Sequence, residues 1–346
     1  MHLALYHPEH GYYARGPRSG WAGHYLTSAE LDPTFGELWA RGFRLLWESC
    51  GRPSRFNLIE LGAGEGGFAS AVLGSVAEDF RSALRYVVVE PLATLRTRQR
   101  THLSDVPIEW VEDLSEVEPT SSGCVFANEV LDNLPIHLVE QTPEGAVELR
   151  VGLVDSRLAF IRSALDSKLR PELDAIGPDL PVGHRVELRP AARDLIQAAA
   201  ATISRGALIF VDYGHEEEDL VARPQGTLMS YSHTGVDDRP LEGPGEKDIT
   251  AHVNWGALRR DCAALGLRPL GPVPQRIVLE ELGASALLNA SRESRQAALA
   301  ERRGLDAIRA LSRNQALGAL SDPGGLGRLG VFSAVKGITA PAFLTP

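Results

Sequence analysis

The stretch Phe56–Gly67, FNLIELGAGEGG, constrains this chain more than any other. A short apolar run that ends in a glycine-rich turn and passes into a second apolar stripe reads as strand, turn and helix. The stripe is Phe68, Val72, Val76 and Phe80, at a spacing of four. The texture then repeats. YVVVE (Tyr86–Glu90) is a β-branched strand, and a helix follows through Leu92, Leu95 and Leu103. IEWVEDL, CVFANEV and ALIFVDYG (Ala207–Gly214) supply three more short strands, and RLGVFSAVKG a last one. Apolar strands that alternate with helices predict a parallel sheet covered on both faces. The expected fold class is α/β, a doubly wound, mostly parallel sheet.

Two stretches exceed one minimal unit. Residues 136–190 read as a β-rich insertion, with HLVEQ, AVELRV and RLAFI around the turn Pro143-Glu144-Gly145. Residues 280–327, rich in Ala, Leu and Arg, read as a helical insertion. The core is then 51–135 and 191–279 plus 328–338, with no Gly/Ser linker to separate independent domains. Residues 1–50 read as an N-terminal lid loop and a helix. The first thirty residues have no clear period, and Asp32-Pro33 looks like an N-cap carboxylate with proline at the first helical position. Phe35, Leu38, Trp39, Phe43 and Leu46 then mark one helix face.

Composition narrows the function. The chain has 346 residues, 44% hydrophobic and 23% charged, with a formal net charge of −10. No basic block offers a surface to phosphate backbones or anionic lipid, so no nucleic-acid partner is expected. No apolar run approaches a bilayer span, so no membrane insertion is expected. Three widely spaced cysteines, Cys50, Cys124 and Cys262, without a CxxC pair, fit a reducing compartment. The N-terminus shows no signal or presequence pattern. The expected location is cytoplasmic.

In an open parallel sheet, ligands bind beyond the carboxyl ends of the strands, where the strand order switches. The residues placed there are Glu60 to Gly66, Glu90, Glu112-Asp113, Asn128-Glu129 and Asp212. Gly62, Gly64 and Gly67 satisfy G-x-G-x-x-G, a weak dinucleotide signal on its own. Charge argues the other way. A pyrophosphate needs helix-terminal N–H groups and no anions nearby, whereas Glu60 precedes the first glycine and Glu65 sits inside the turn. Acids there favour S-adenosylmethionine, with its ammonium and sulfonium groups. A nicotinamide enzyme stays open as the alternative. The candidate cofactor-binding residues are Glu60, Gly62, Ala63, Gly64, Gly66, Glu90 for the ribose hydroxyls, Asp113 for the adenine amino group with Leu114 beside it, and Asn128.

The motifs ALYHPEHGYY, YLTSAELDPTFGELW, LIELGAGEGG, FANEVLDNLP, LIFVDYG and GEKDITAHVNW, spread over residues 4–255, resemble the MidA family of class I methyltransferases. These are relatives of the mitochondrial complex I assembly factor that methylates a subunit arginine. The segment after Leu279 gives no match. The resemblance implies a class I methyltransferase Rossmann-like core, S-adenosylmethionine as methyl donor, and a protein arginine as acceptor. It also makes the loop with Thr27, Ser28 and Glu30 a lid over the cofactor, which brings Thr27 into the cofactor set.

Methyl transfer to a guanidinium requires the acceptor to be positioned and its extra positive charge offset. A guanidinium has a pKa above about 12, and carboxylates can hold it bidentately. Glu129, at the end of the fourth strand, is the candidate acceptor carboxylate; Asn128 would position both ligands, and Asp132 lies one turn further on. Helix capping is the bland alternative for Asn128 and Asp132, but capping does not require the glutamate. His252 could border the acceptor, or simply bond to backbone in a turn. His7-Pro-Glu9-His10 resembles a metal cluster without a further ligand pair, so no metal is expected. A non-catalytic cofactor-binding assembly factor and a small-molecule biosynthetic methyltransferase remain alternatives.

Overall fold

The structure is a computed structural model that describes residues 1–15, 27–177 and 180–346. Tyr25 and Leu26, at the head of YLTSAELDPTFGELW, lie outside the described residues, as do residues 16–26 of the segment read as a lid.

The first four strands are β1 (Phe56–Leu61), β2 (Leu84–Val89), β3 (Ile108–Val111) and β4 (Gly123–Asn128). A four-stranded antiparallel sheet follows, from β5 (His137–Thr142), β6 (Gly145–Val154), β7 (Arg157–Ala164) and β8 (Arg185–Leu188). The chain re-enters the main sheet at β9 (Gly206–Asp212). Short strands β10 (Gly214–His215), β11 (Met229–Ser232), β12 (Gly235–Asp237), β13 (Asp248–Thr250) and β14 (Val253–Asn254) build two small sheets beside its carboxyl edge. Finally β15 (Arg268–Pro274) and β16 (Gly330–Lys336) complete a seven-stranded sheet of order β15-β16-β9-β4-β1-β2-β3. The pairs among β9, β4, β1, β2 and β3 are parallel; β16 runs antiparallel to β9 and β15.

This is the doubly wound, mostly parallel α/β fold that the alternating pattern implies. From β1 the chain winds one way through β2 and β3, then crosses to β4 on the other side. The switch point therefore opens between the carboxyl ends of β1 and β4.

One face of the sheet is covered by helices Thr34–Ser49 and Gly67–Ser75 and by the C-terminal helices. Its centre is an aromatic pile. Trp39 and Phe43 pack on Phe126 of β4 at ring-centroid distances of 4.8 and 5.4 Å, and Phe68 stacks on Phe126 at 4.8 Å. The other face is covered by helices Pro190–Thr202 and Trp255–Ala264.

Two local readings are corrected. The stripe of four breaks at Val76, which is extended; the helix ends at Ser75, and Phe80 lies in a separate turn, Glu78–Arg81. Phe80 still reaches the core from that separate turn. At the next helix Pro33 is the cap itself, and the Asp32 carboxylate accepts from the N–H and hydroxyl of Thr34. The segment read as a loop also contains the short helices His2–Tyr6 and Ser28–Leu31.

Candidate active site

A single cavity of about 660 Å³ opens at the switch point, within the size range of small-molecule sites. It has two ends. The first is built on β1, β2 and β3, the second on β4, β9 and the small sheets.

At the first end, β1 delivers Glu60 and the turn Gly62-Ala63-Gly64 to the cavity wall. Gly64 has φ +54°, and a Cβ there would stand 2.9 Å from Glu30 Oε1. Glycine takes this conformation without strain, and a side chain there would have to displace the Glu30 carboxylate. Gly66 is different. It has φ +87° and caps the following helix, but it does not line the cavity; its missing side chain makes room for Leu103. In this structure Gly66 serves the turn.

Glu60 is buried and accepts the Tyr86 hydroxyl at 2.7 Å, and burial raises its carboxyl to about 7. Glu90, equally buried, accepts the N–H of Leu92 at 3.0 Å, and burial raises it to about 7 as well. Gln99, which the sequence did not single out, joins these parts: its amide donates to Gly64 O at 2.8 Å and to Glu90 at 3.4 Å. Asp113 lies exposed on the rim, its carboxylate lowered by the hydrogen bond from Ser115, while Leu114 is buried in the wall. Thr27 also lines the cavity, without a side-chain capping bond. Glu65 corrects part of the charge argument, because it pairs with Arg98 at 3.3 Å.

Among the described residues the lining contains no lysine or arginine. A pyrophosphate would meet buried carboxylates and no counter-charge. A ligand carrying ammonium and sulfonium groups fits, since it would offset the cost of ionising Glu60 and Glu90. Asn128 Oδ1, buried without a partner among the described residues, adds an unused acceptor at the junction of the two ends.

At the second end, Glu129 follows β4 with φ +52°, a conformation that side-chain-bearing residues rarely adopt. Its N–H bonds to Val211 O at 2.8 Å. Its Oε1 accepts from Asn128 Nδ2 at 3.0 Å and from the N–H of Ser28 at 3.4 Å, which ties the N-terminal segment to the site. Burial, then the neighbouring Asp132, raises Glu129 to about 8.

Asp212, at the end of β9, fixes the turn after Glu129. One carboxylate oxygen accepts the N–H groups of Leu131 and Asp132 at 2.9 and 3.3 Å, the other that of Tyr213 at 2.8 Å. Asp132 is buried in the wall with its carboxyl raised by that burial, and its Oδ1 has no partner among the described residues. The buried Arg189 guanidinium donates to the carbonyls of Asp132, Ala251 and His252 at 3.3, 2.6 and 3.3 Å. Asp248 accepts from Tyr13 at 2.9 Å and from Asn133 at 3.0 Å, and burial raises it to about 7.

His252 does border this end. It stacks on His215 at 4.8 Å, and burial followed by the nearby His215 lowers it to about 4, so it is neutral. His7 Nδ1, by contrast, accepts the N–H groups of Glu9 and His10 and closes a local turn.

The structure thus gathers Thr27, Glu60, Gly62, Ala63, Gly64, Glu90, Asp113, Leu114, Asn128, Glu129 and Asp132 on one wall. Sequence reasoning missed Gln99, Tyr213, Tyr231 and Asp248. Asp212 and Tyr213 carried a usable signal, an acid and a tyrosine at the end of a core strand, and Asp248 stands in the motif GEKDITAHVNW; Tyr231 carried none.

Comparison with known proteins agrees with this geometry. The family model for S-adenosyl-L-methionine-dependent methyltransferases matches residues 38–273. The protein arginine methyltransferase NDUFAF7, mitochondrial, of Rattus norvegicus is 31% identical over 311 residues, covering 82% of this chain and 69% of its own length. Its Homo sapiens counterpart is 29% identical over 311 residues, covering 82% and 68%. A COG1565 superfamily member from Burkholderia thailandensis, crystallised bound to S-adenosyl-homocysteine, superposes with a TM-score of 0.84 at 28% identity, over 98% of this chain and 87% of that one. With the switch-point cavity, its acid lining and these matches together, the chain belongs to the family of S-adenosyl-L-methionine-dependent methyltransferases.

Proposed function

We propose that the acceptor is the guanidinium of a protein arginine. The observation that carries this reading is the set of carboxyl groups, half-buried Glu129 with buried Asp132 and Asp248, that line the cavity together. The names of the mammalian relatives support it.

S-adenosylmethionine, when bound, supplies an electrophilic methyl group. Glu60, Glu90, Gly62 and Gly64 would hold it, and Asn128 would face the junction. For each methyl gained, the acceptor nitrogen must give up a proton. Glu129 suits that task, because a carboxyl held near 8 keeps a high proton affinity while its charge, once formed, faces a cation. The rigid turn set by Asp212 keeps Glu129 and Asp132 aimed at the same volume, so little reorganisation is needed as charge develops.

The test is transfer of an isotopically labelled methyl group into a cell lysate, followed by fractionation and hydrolysis. Label recovered as methylarginine in protein is the expected result. Label confined to small molecules would overturn the reading.

A further inference from the structure

The second end of the cavity holds more than acids. Tyr6, Tyr13, Tyr213 and Tyr231 all line it. Three of these rings are already engaged: Tyr6 packs against Tyr13 at 5.5 Å, Tyr13 donates to Asp248, and Tyr213 has His252 at 6.1 Å and the Arg328 guanidinium 6.0 Å from its centroid. Tyr231 has no ring or cation stacked on it among the described residues.

Its position is fixed by strand register. Tyr231 of β11 pairs directly with Asp248 of β13, and Met229 with Thr250. Directly paired residues project from the same face of an antiparallel ladder. Tyr231, Asp248 and Thr250 therefore form one face, and that face is the cavity wall. Burial, followed by the charges of Asp132, Asp248 and Glu129, holds the Tyr231 hydroxyl protonated, which places the ring in the field of the same carboxylates.

The acids differ in what they still have to offer. Asp248 Oδ1 is taken by Tyr13 and Asn133, and Glu129 Oε1 by Asn128 and Ser28. Asp132 is only 5% exposed, and its Oδ1 accepts from no described residue. A buried carboxylate oxygen without a donor is costly unless a ligand supplies one.

We propose that Tyr231 and Asp132 together select a planar cation at this end of the cavity, Asp132 receiving an N–H and the Tyr231 ring covering the flat face. This deepens the arginine reading and rests on it. A guanidinium satisfies both partners at once, being planar, permanently charged and rich in donors. An ammonium offers no flat face, and a urea of the same shape offers no charge.

The test uses the S-adenosyl-homocysteine-loaded protein and three probes, the N-acetyl methylamides of arginine, citrulline and lysine, titrated by NMR. The arginine probe should bind, with citrulline and lysine weaker by about tenfold or more. Tyr231→Leu should weaken the arginine probe by about tenfold, and Tyr231→Phe should restore it to within about threefold, because the ring and not the hydroxyl is required. S-adenosyl-homocysteine affinity should be unchanged in both variants, which separates a selecting role from a structural one. Asp132→Asn should weaken arginine without strengthening citrulline to match it. Equal binding of arginine and citrulline by the parent, no detectable arginine binding, or a Tyr231→Phe variant as weak as Tyr231→Leu would each overturn the proposal. The parent series does not depend on any variant folding. Lysate label found in small molecules while the arginine probe still binds selectively would sink the protein-substrate reading alone; label in protein arginine with equal citrulline binding would sink the cage alone.

Discussion

Glu129 occupies the left-handed region that costs a side-chain-bearing residue about 1–2 kcal/mol, and the surrounding bonds impose it. Its N–H is fixed by β9, and the next turn by the Asp212 carboxylate. Strain held in this way tends to mark functional sites. Gly64 lies in the same region, and as a glycine it carries no such cost. Gly64→Val would add a β-branched group where φ is +54° and where even a Cβ comes 2.9 Å from Glu30. That variant should lose S-adenosyl-homocysteine binding by calorimetry while its circular dichroism stays native. Unchanged affinity would mean that the ligand does not lie along this turn.

At the scale of elements, β4 links packing to chemistry. Its inward residue Phe126 is the centre of the aromatic pile, and its last residue, Asn128, opens the site. Phe126→Ala should cost about 3–5 kcal/mol of stability, read from denaturant unfolding. A loss under about 1 kcal/mol would show that the pile can close around the hole. The core strands were legible in the sequence because buried parallel strands are written as near-continuous apolar runs, as in Gly206–Asp212, where only the last residue is charged. The strand-end rule then brought out Glu60, Glu90 and Asn128-Glu129. It could not reach Tyr231 or Asp248. These sit on strands of four and three residues, whose place beside β9 depends on contacts such as Arg189 with the Ala251 and His252 carbonyls. Spacing alone also misled at Val76, where a period of four runs across a helix end.

For the molecule as a whole, the acid-lined cavity makes stability depend on pH. Glu60 and Glu90 near 7 and Glu129 near 8 all lie above the ordinary glutamate value of 4.5, and Asp248 near 7 lies above 3.8. Raised native values mean that these groups bind more protons in the folded protein than in the unfolded chain, so their contribution to stability is fully present below about pH 4 and is lost as pH rises to about 8. His252, lowered to about 4, acts in the opposite sense up to about pH 6.5, and Asp237, held low by Lys247, does so at more acid pH, but four raised carboxyls outweigh the one histidine above pH 5. The thermal midpoint of the ligand-free protein should therefore decline between about pH 5 and pH 8, and less steeply in Glu129→Gln. Equal slopes in the two proteins would contradict the burial of that charge.

One cavity with a cofactor end and an acceptor end implies that the two functions can be separated at Glu129. The most direct test measures methyl transfer and S-adenosyl-homocysteine affinity in the same Glu129→Gln protein. Loss of one charge-assisted contact to a developing cation should lower the transfer rate by about a hundredfold or more, while affinity for the cofactor product stays within about twofold. Transfer at the parent rate, or a collapse of cofactor binding alongside it, would contradict the assignment of Glu129 to the acceptor.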